Sequence, residues 1–269
     1  MINRRKFLGL AGIVLADAFS PSFAFGEDAK KPRWLRSLVD EKQKKKFDNP
    51  YEDIVYYINL FHMPTNNAEN DAHGKTHDVN SYLRNYFSKN RIGTTTDGEI
   101  IFEKSNGFYL LDGNYCILKE PNITMKQVRE FVPIFSATNS SYQLYLVNQA
   151  NSFNETPLYI LDELTAYING ATYAGKFGGD KFSNVLDFIT YSASLGLAVK
   201  NKDLKYWESK NGEDLKDFLK YATSKAFYSE ASQTGSQYPY MDIRTRLWSM
   251  MDEEQRDFLK KDLGWMKSK

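Results

Sequence analysis

A single cysteine, Cys116, stands in 269 residues, which excludes an intramolecular disulfide framework and any zinc site built from several thiolates. It lies in the strand-like run Tyr115-Cys116-Ile117-Leu118, where a buried structural thiol is expected. Long hydrophobic runs are missing too: the greasiest stretch, Phe7 to Phe19, is broken by Asp17 and falls short of the ~20 residues a membrane-spanning helix needs. No integral membrane span is expected in the mature chain. Neither charge sign is in excess, with 35 basic and 34 acidic side chains. The positive surplus that phosphate neutralisation demands is therefore lacking, and a nucleic-acid partner is excluded. No Gly-x-Ser-x-Gly elbow occurs, which argues against a serine hydrolase of that architecture. What remains is 42% hydrophobic and 15% aromatic residues, ample for a folded core.

The first 24 residues, MINRRKFLGLAGIVLADAFSPSFA, join a short basic head to a moderately apolar middle and end in Ser22-Phe23-Ala24, small residues of the kind a signal peptidase reads. They are expected to be a secretory signal peptide cut after Ala24. Arg4 and Arg5 followed by Phe7 and Leu8 resemble the twin-arginine (Tat) signal. The resemblance implies the Tat-type export machinery as a partner, folding before translocation, and a periplasmic or secreted location.

Residues 25–50 are read as a basic linker or amphipathic helix, because Lys30, Lys31, Arg33, Arg36, Lys42 and Lys44 to Lys46 crowd around Asp40 and Glu41. With Trp34, Leu35, Leu38 and Val39 interleaved, this stretch has the composition of a segment that lies on an anionic lipid surface. Residues 51–269 are expected to form one α+β domain, a small antiparallel sheet near the N-terminus packed against a predominantly helical layer. Asp53 to Phe61 reads as a strand or a short buried helix, and a helix is expected to start at Thr76 or Asp78. Three short strands are expected between Asp97 and Pro121, where Ser-Asn-Gly and Asp-Gly-Asn punctuate apolar runs. Thr124 and Gln127 form a capping box for a helix through Val132. Helices are further expected from Thr156-Pro157, over 181–199 and 213–231, and over 241–263 with a break before Asp252.

The chemistry concentrates in two places. In Pro157 to Ala171 apolar residues surround most of a helix, so the acidic pair Asp162 and Glu163 is expected to be buried, with Ile160 and Tyr167 as core neighbours. A buried carboxylate must be paired, hydrogen-bonded, metal-bound or protonated, and Arg84 or Arg129 is a candidate partner for Glu163. All three histidines of the chain, His62, His73 and His77, fall within sixteen residues. His73 and His77 are four apart, the spacing that aligns two imidazoles on one helical face for zinc.

With Glu163 far downstream in an acidic helix that contains Ala166 and Tyr167, this arrangement resembles a degenerate zinc metallopeptidase of the gluzincin class. The resemblance implies a fold holding His73, His77 and Glu163 as metal ligands with zinc as cofactor. The residue after the first histidine, where the family carries its catalytic glutamate, is Gly74. No catalytic residue is therefore assigned. Two function classes stay open: an exported metal-dependent hydrolase or its inactive descendant, and a non-enzymatic envelope protein that binds a protein, glycan or lipid partner.

Changing Arg4 and Arg5 to lysine is expected to strand a folded precursor in the cytoplasm, as read by fractionation. N-terminal sequencing of the exported wild type is expected to start at Phe25.

Overall fold

Asn49 and Pro50 open the first helix. The Asn49 side chain accepts a hydrogen bond from Tyr51 N at 2.9 Å, and Pro50 takes a first-turn position where its missing N–H costs nothing. The computed structural model describes residues 32–88, 104–177, 184–233 and 239–265. Arg4, Arg5, Phe7, Leu8 and Ala24 lie outside them, as does the start of the stretch expected to hold three strands. Helix α1, Pro50–Leu60, resolves the strand-or-helix alternative. Helix α2, Ala72–Ser88, begins before the expected Thr76. Asp71 caps it, accepting from Gly74 N at 2.8 Å with its carboxylate and from Lys75 N at 3.0 Å with its carbonyl.

The sheet has three antiparallel strands in the order β1-β3-β2: β1 Leu35–Ser37, β2 Ser105–Tyr109 and β3 Asn114–Lys119. Among the described residues, two strands come from the stretch before Pro121. The third is drawn from the basic segment that was read as linker or helix. Its neighbour Trp34 is buried and meets Phe218 edge-on at 5.5 Å, and that anchorage sets the strand against β3. Cys116 sits at the centre of the sheet, opposite Leu35 on one side and Phe108 on the other. It is fully buried, as expected of a structural thiol.

The β2–β3 turn is tight. Leu111, Asp112 and Gly113 adopt φ of 70°, 52° and 67°, the left-handed region that favours glycine. A Cβ at Gly113 would also stand 2.5 Å from the Tyr57 hydroxyl. Asp53 on α1 holds this turn, accepting from the Tyr109 hydroxyl at 2.8 Å and from Asp112 N at 3.1 Å.

Helix α3, Met125–Arg129, starts at the Thr124–Gln127 capping box but stops three residues before the expected Val132. Tyr142–Asn148 is wound as a π-helix. Four longer or later helices follow: α4 Tyr159–Phe177, α5 Val185–Lys202, α6 Lys210–Gln233 and α7 Pro239–Met250. The expected break occurs, with Asp252 capping α8, Glu253–Asp257. Helix α5 is buried without interruption from Val185 to Val199 and forms the centre of the helical layer with α4 and α6 around it. Among the described residues no helix is long and apolar enough to cross a membrane.

Alternation along β2 divides the interior. Phe108 joins the large core of α4, α5 and α6, stacked on Phe218 at 5.8 Å. Tyr109, next in sequence, points to a smaller cluster with Ile54, Tyr57, Val79 and Leu83 of α1 and α2. The protein is thus an α+β fold with helices on both faces of a small sheet.

Two buried carboxyls carry a pH signature. Burial pushes Asp53 up to about 7 against its hydrogen bond from Tyr109, and burial pushes Glu120 up to about 8 although Leu158 N and Asn106 donate to it. Above about pH 4 the unfolded chain has released these protons, whereas the folded chain keeps that of Asp53 to about pH 7 and that of Glu120 to about pH 8. Stability from both groups is therefore full at the acid end and lost as the pH rises through the folded pKa values. Urea denaturation should give a lower unfolding free energy at pH 8 than at pH 5, and the double variant Asp53→Asn, Glu120→Gln should flatten that difference.

Candidate metal centre

Helix periodicity places His73, His77, Asn80 and Arg84 along one side of α2, each three or four residues from the next. That side faces α4. Asp162, buried among these groups, accepts from Asn80 Nδ2 at 2.6 Å, stands 3.3 Å from His77 Nδ1 and lies 3.6 Å from Arg84 Nη1. Asn80 Nδ2 also reaches the Thr165 hydroxyl at 3.0 Å, and its oxygen accepts from Tyr109 N at 2.7 Å. Four residues on from Thr165, Asn169 reaches the Thr76 hydroxyl at 3.1 Å and the Tyr109 carbonyl at 3.3 Å. The α2–α4 contact is polar along its length and stitched to β2.

Glu163 is buried as expected, and Ile160 and Tyr167 are buried beside it. Its partner is neither of the arginines expected. Arg84 goes to Asp162, because consecutive helical residues point about 100° apart, and Arg129 donates to the Leu146 carbonyl at 3.4 Å. Glu163 Oε1 instead accepts from the Tyr159 hydroxyl at 2.6 Å. Its other oxygen, Oε2, is buried and makes no hydrogen bond; His77 Nε2 stands 3.4 Å from it in an ion-pair contact.

The structure therefore brings His73, His77 and Glu163 together, with one ligand atom from each lying within 4.8 Å of the others. The two imidazoles meet edge-on at 4.8 Å. A tetrahedral ion about 2.1 Å from its donors keeps them about 3.4 Å apart, the distance already present between His77 and Glu163. The imidazole and carboxylate donors, and a buried carboxylate oxygen without a hydrogen bond, fit a divalent cation of the zinc type. The fold thus contains a buried group that could hold a metal ion. His62 does not belong to it: it lies just past α1, with a positive φ of 50°.

Each imidazole also carries a carboxylate on Nδ1, Asp162 for His77 and Glu69 for His73, both at 3.3 Å. Burial opposes a proton on His77, yet the charges of Asp162 and Glu163 and their contacts with the ring prevail and hold its pKa well above the ordinary value. Burial, then the charge of His77, lowers that of His73. Burial pushes the Asp162 carboxyl up, but His77, Arg84 and Asn80 outweigh it and hold it below the usual range. Asp162 and Glu163 are thus a buried acidic pair with divided duties: one is saturated by α2, the other faces the cluster.

Aromatic hydroxyls close the site. The Tyr167 ring lies 4.5 Å from the His73 ring, and its hydroxyl sits 3.1 Å from that of Tyr145, which the π-helix delivers. Phe153 stacks on Tyr159 at 3.7 Å. Sequence reasoning missed Glu69, Asn80, Tyr145 and Tyr159, and read Tyr167 only as a core neighbour of Glu163. The Glu-x-x-x-His-x-x-x-His spacing from Glu69 was the available signal for the first. A second acidic group, Glu69, Asp71 and His73, also gathers three donors, but Asp71 is occupied in capping α2. Comparison with protein-family models, with curated proteins and with solved structures returned no match.

Asp162→Ala strands His77, Arg84 and Asn80 together and is expected to cost about 3 to 5 kcal/mol, the scale for a buried ion pair that loses one partner. Glu163→Gln keeps the size of the side chain and an acceptor for Tyr159. In the metal-free chain it is expected to cost no more than about 1 kcal/mol, the scale of one hydrogen bond. Paired urea titrations of the two variants check this ordering.

Proposed function

We propose that this chain is an exported zinc-binding protein whose centre is formed by His73, His77 and Glu163, of the open, hydrolase-like type but without the peptidase base. The observation that carries the reading is Glu163 Oε2, a buried carboxylate oxygen without a hydrogen bond, set 3.4 Å from His77 Nε2 beside a second imidazole. Two histidines and one glutamate are a donor set of catalytic zinc sites, which keep a position open, whereas structural sites fill all four positions, commonly with cysteine. Zinc there would supply Lewis acidity toward a carbonyl or phosphoryl oxygen.

The chain's own residues do the rest. Asp162 and Glu69 set the imidazole tautomers, Tyr159 orients Glu163, and burial under Tyr145 and Tyr167 thins out competing water. Gly74 removes the general base of the gluzincin pattern, so peptide hydrolysis is not part of the proposal. The twin-arginine signal supports export through Tat-type machinery to the periplasm or beyond, and folding before export suits loading of the ion in the cytoplasm.

A second reading, a non-enzymatic envelope protein that holds a protein, glycan or lipid partner, draws support from Ile134 and Phe135. These neighbours are 85% and 79% exposed on the turn after α3, an unusual setting for two adjacent large apolar side chains.

Metal analysis of the purified mature protein should find one zinc per chain. His77→Ala and Glu163→Gln should each lower zinc affinity at least tenfold, and no peptide hydrolysis should accompany binding. Equal affinity in the wild type and both variants would remove the centre and leave the second reading.

A further inference from the structure

Gly74 is the point at which the zinc-peptidase pattern fails, and the structure shows what occupies its place. A Cβ built on Gly74 would stand 2.6 Å from Glu69 Cβ and 2.9 Å from the Glu69 carbonyl oxygen. The second of these is backbone and cannot rotate away. Alanine is the better helix former at such a position, so glycine here serves the contact and not the helix.

The chain that presses on it is fastened at several points. Asp78 Oδ1 accepts from Asn66 N at 2.9 Å and from Asn67 N at 3.0 Å. Asn67 Nδ2 donates to the Gly74 carbonyl at 3.2 Å, Lys75 Nζ to the Asn67 carbonyl at 3.3 Å, and the Tyr51 hydroxyl to Asn70 at 2.7 Å. The product of this fastening is Glu69, whose carboxylate lies 3.3 Å from His73 Nδ1 while its side chain stays 62% exposed.

We propose that Glu69 is a positioning residue of the metal centre, fixing His73 as an Nε2 donor, and that Gly74 is the opening in α2 through which the Glu69 segment reaches that histidine. An acceptor on Nδ1 keeps the proton there and makes Nε2 the nitrogen that carries the lone pair. His77 obtains the same arrangement from Asp162 on α4; His73 obtains it from the loop preceding its own helix. The carboxylate missing after the first histidine is thus replaced by one four residues before it, in a different role. It follows that restoring the family pattern by Gly74→Glu expels Glu69 and damages the centre.

The metal side of this inference rests on the zinc reading above, so its test has two arms. In the metal-free full chain, the ring nitrogen shifts of His73 report the tautomer directly. The wild type should show the Nδ1–H form, Glu69→Ala and Gly74→Ala should both lose that preference, and Glu69→Gln, which keeps an acceptor, should retain it. In the second arm, competition with a chromophoric chelator measures zinc affinity. Glu69→Ala, Gly74→Ala and Gly74→Glu should each weaken it by about 10- to 100-fold, the range for partners that orient a ligand, with Glu69→Gln close to wild type. The double variant Glu69→Ala, Gly74→Ala should be no weaker than the worse single one, because both act through one contact.

An Nε2–H form of His73 in the wild type, or a tautomer preference unchanged in Glu69→Ala, overturns the proposal whether or not zinc binds. So do affinity losses that multiply in the double variant. A wild type that shows the expected tautomer but binds no zinc overturns the zinc reading and leaves the positioning role of Glu69 standing.

Discussion

The structure turns on one buried carboxylate, Asp162, and on the side of α2 that neutralises it. An isolated charge in such surroundings is very costly, so His77, Asn80 and Arg84 must all be presented together, and only one rotation of α2 about its axis does that. Once this rotation is set, Asn80 also takes the Tyr109 amide, which fixes β2 against the helix pair. Sheet position, helix orientation and burial of Glu163 are then no longer independent.

The group that could hold a metal ion follows from that constraint at little extra cost. His73 lies one turn before His77 on the same helix, and Glu163 is the immediate neighbour of Asp162. The saturated residue of the acidic pair holds the helices in place while the unsaturated one faces the imidazoles. The two tasks are thus separate: the charge that holds the helices together is not the charge that a metal ion would use.

How much of this was legible in the sequence varied with the kind of signal. His73, His77 and Glu163 stood out because histidine is rare here and because the helix around Glu163 offered few polar positions. The capping box at Thr124, the break at Asp252 and the burial of Cys116 were local signals and read correctly. The start of α2 was placed too late, at Thr76 or Asp78, because Asp71, the cap, was passed over. Glu163 was given the wrong partner because periodicity says which face a residue occupies but not which of two adjacent carboxylates a distant arginine meets. Tyr145 and Tyr159 were hidden among 18 tyrosines and Tyr167 was read only as a core neighbour, since nothing local distinguishes a hydroxyl aimed at a site from one in a core. The strand Leu35–Ser37 escaped because its pairing partner lies far along the chain and its composition is basic.

That strand has a consequence for the order of assembly. Trp34 rests on Phe218 and Tyr221, and Arg33 donates to Asp214, 181 residues away. The earliest strand of the sheet therefore adds to its ladder with β3 a side-chain anchorage in helix α6, made late in synthesis. Until α6 leaves the ribosome, β1 has only its ladder to hold it on β3, and a strand edge that is loosely covered invites pairing with other chains. The lysines and arginines that flank β1 give that waiting segment a charge that disfavours such association, so a composition that looks like a linker also suits a strand that must wait for its partner.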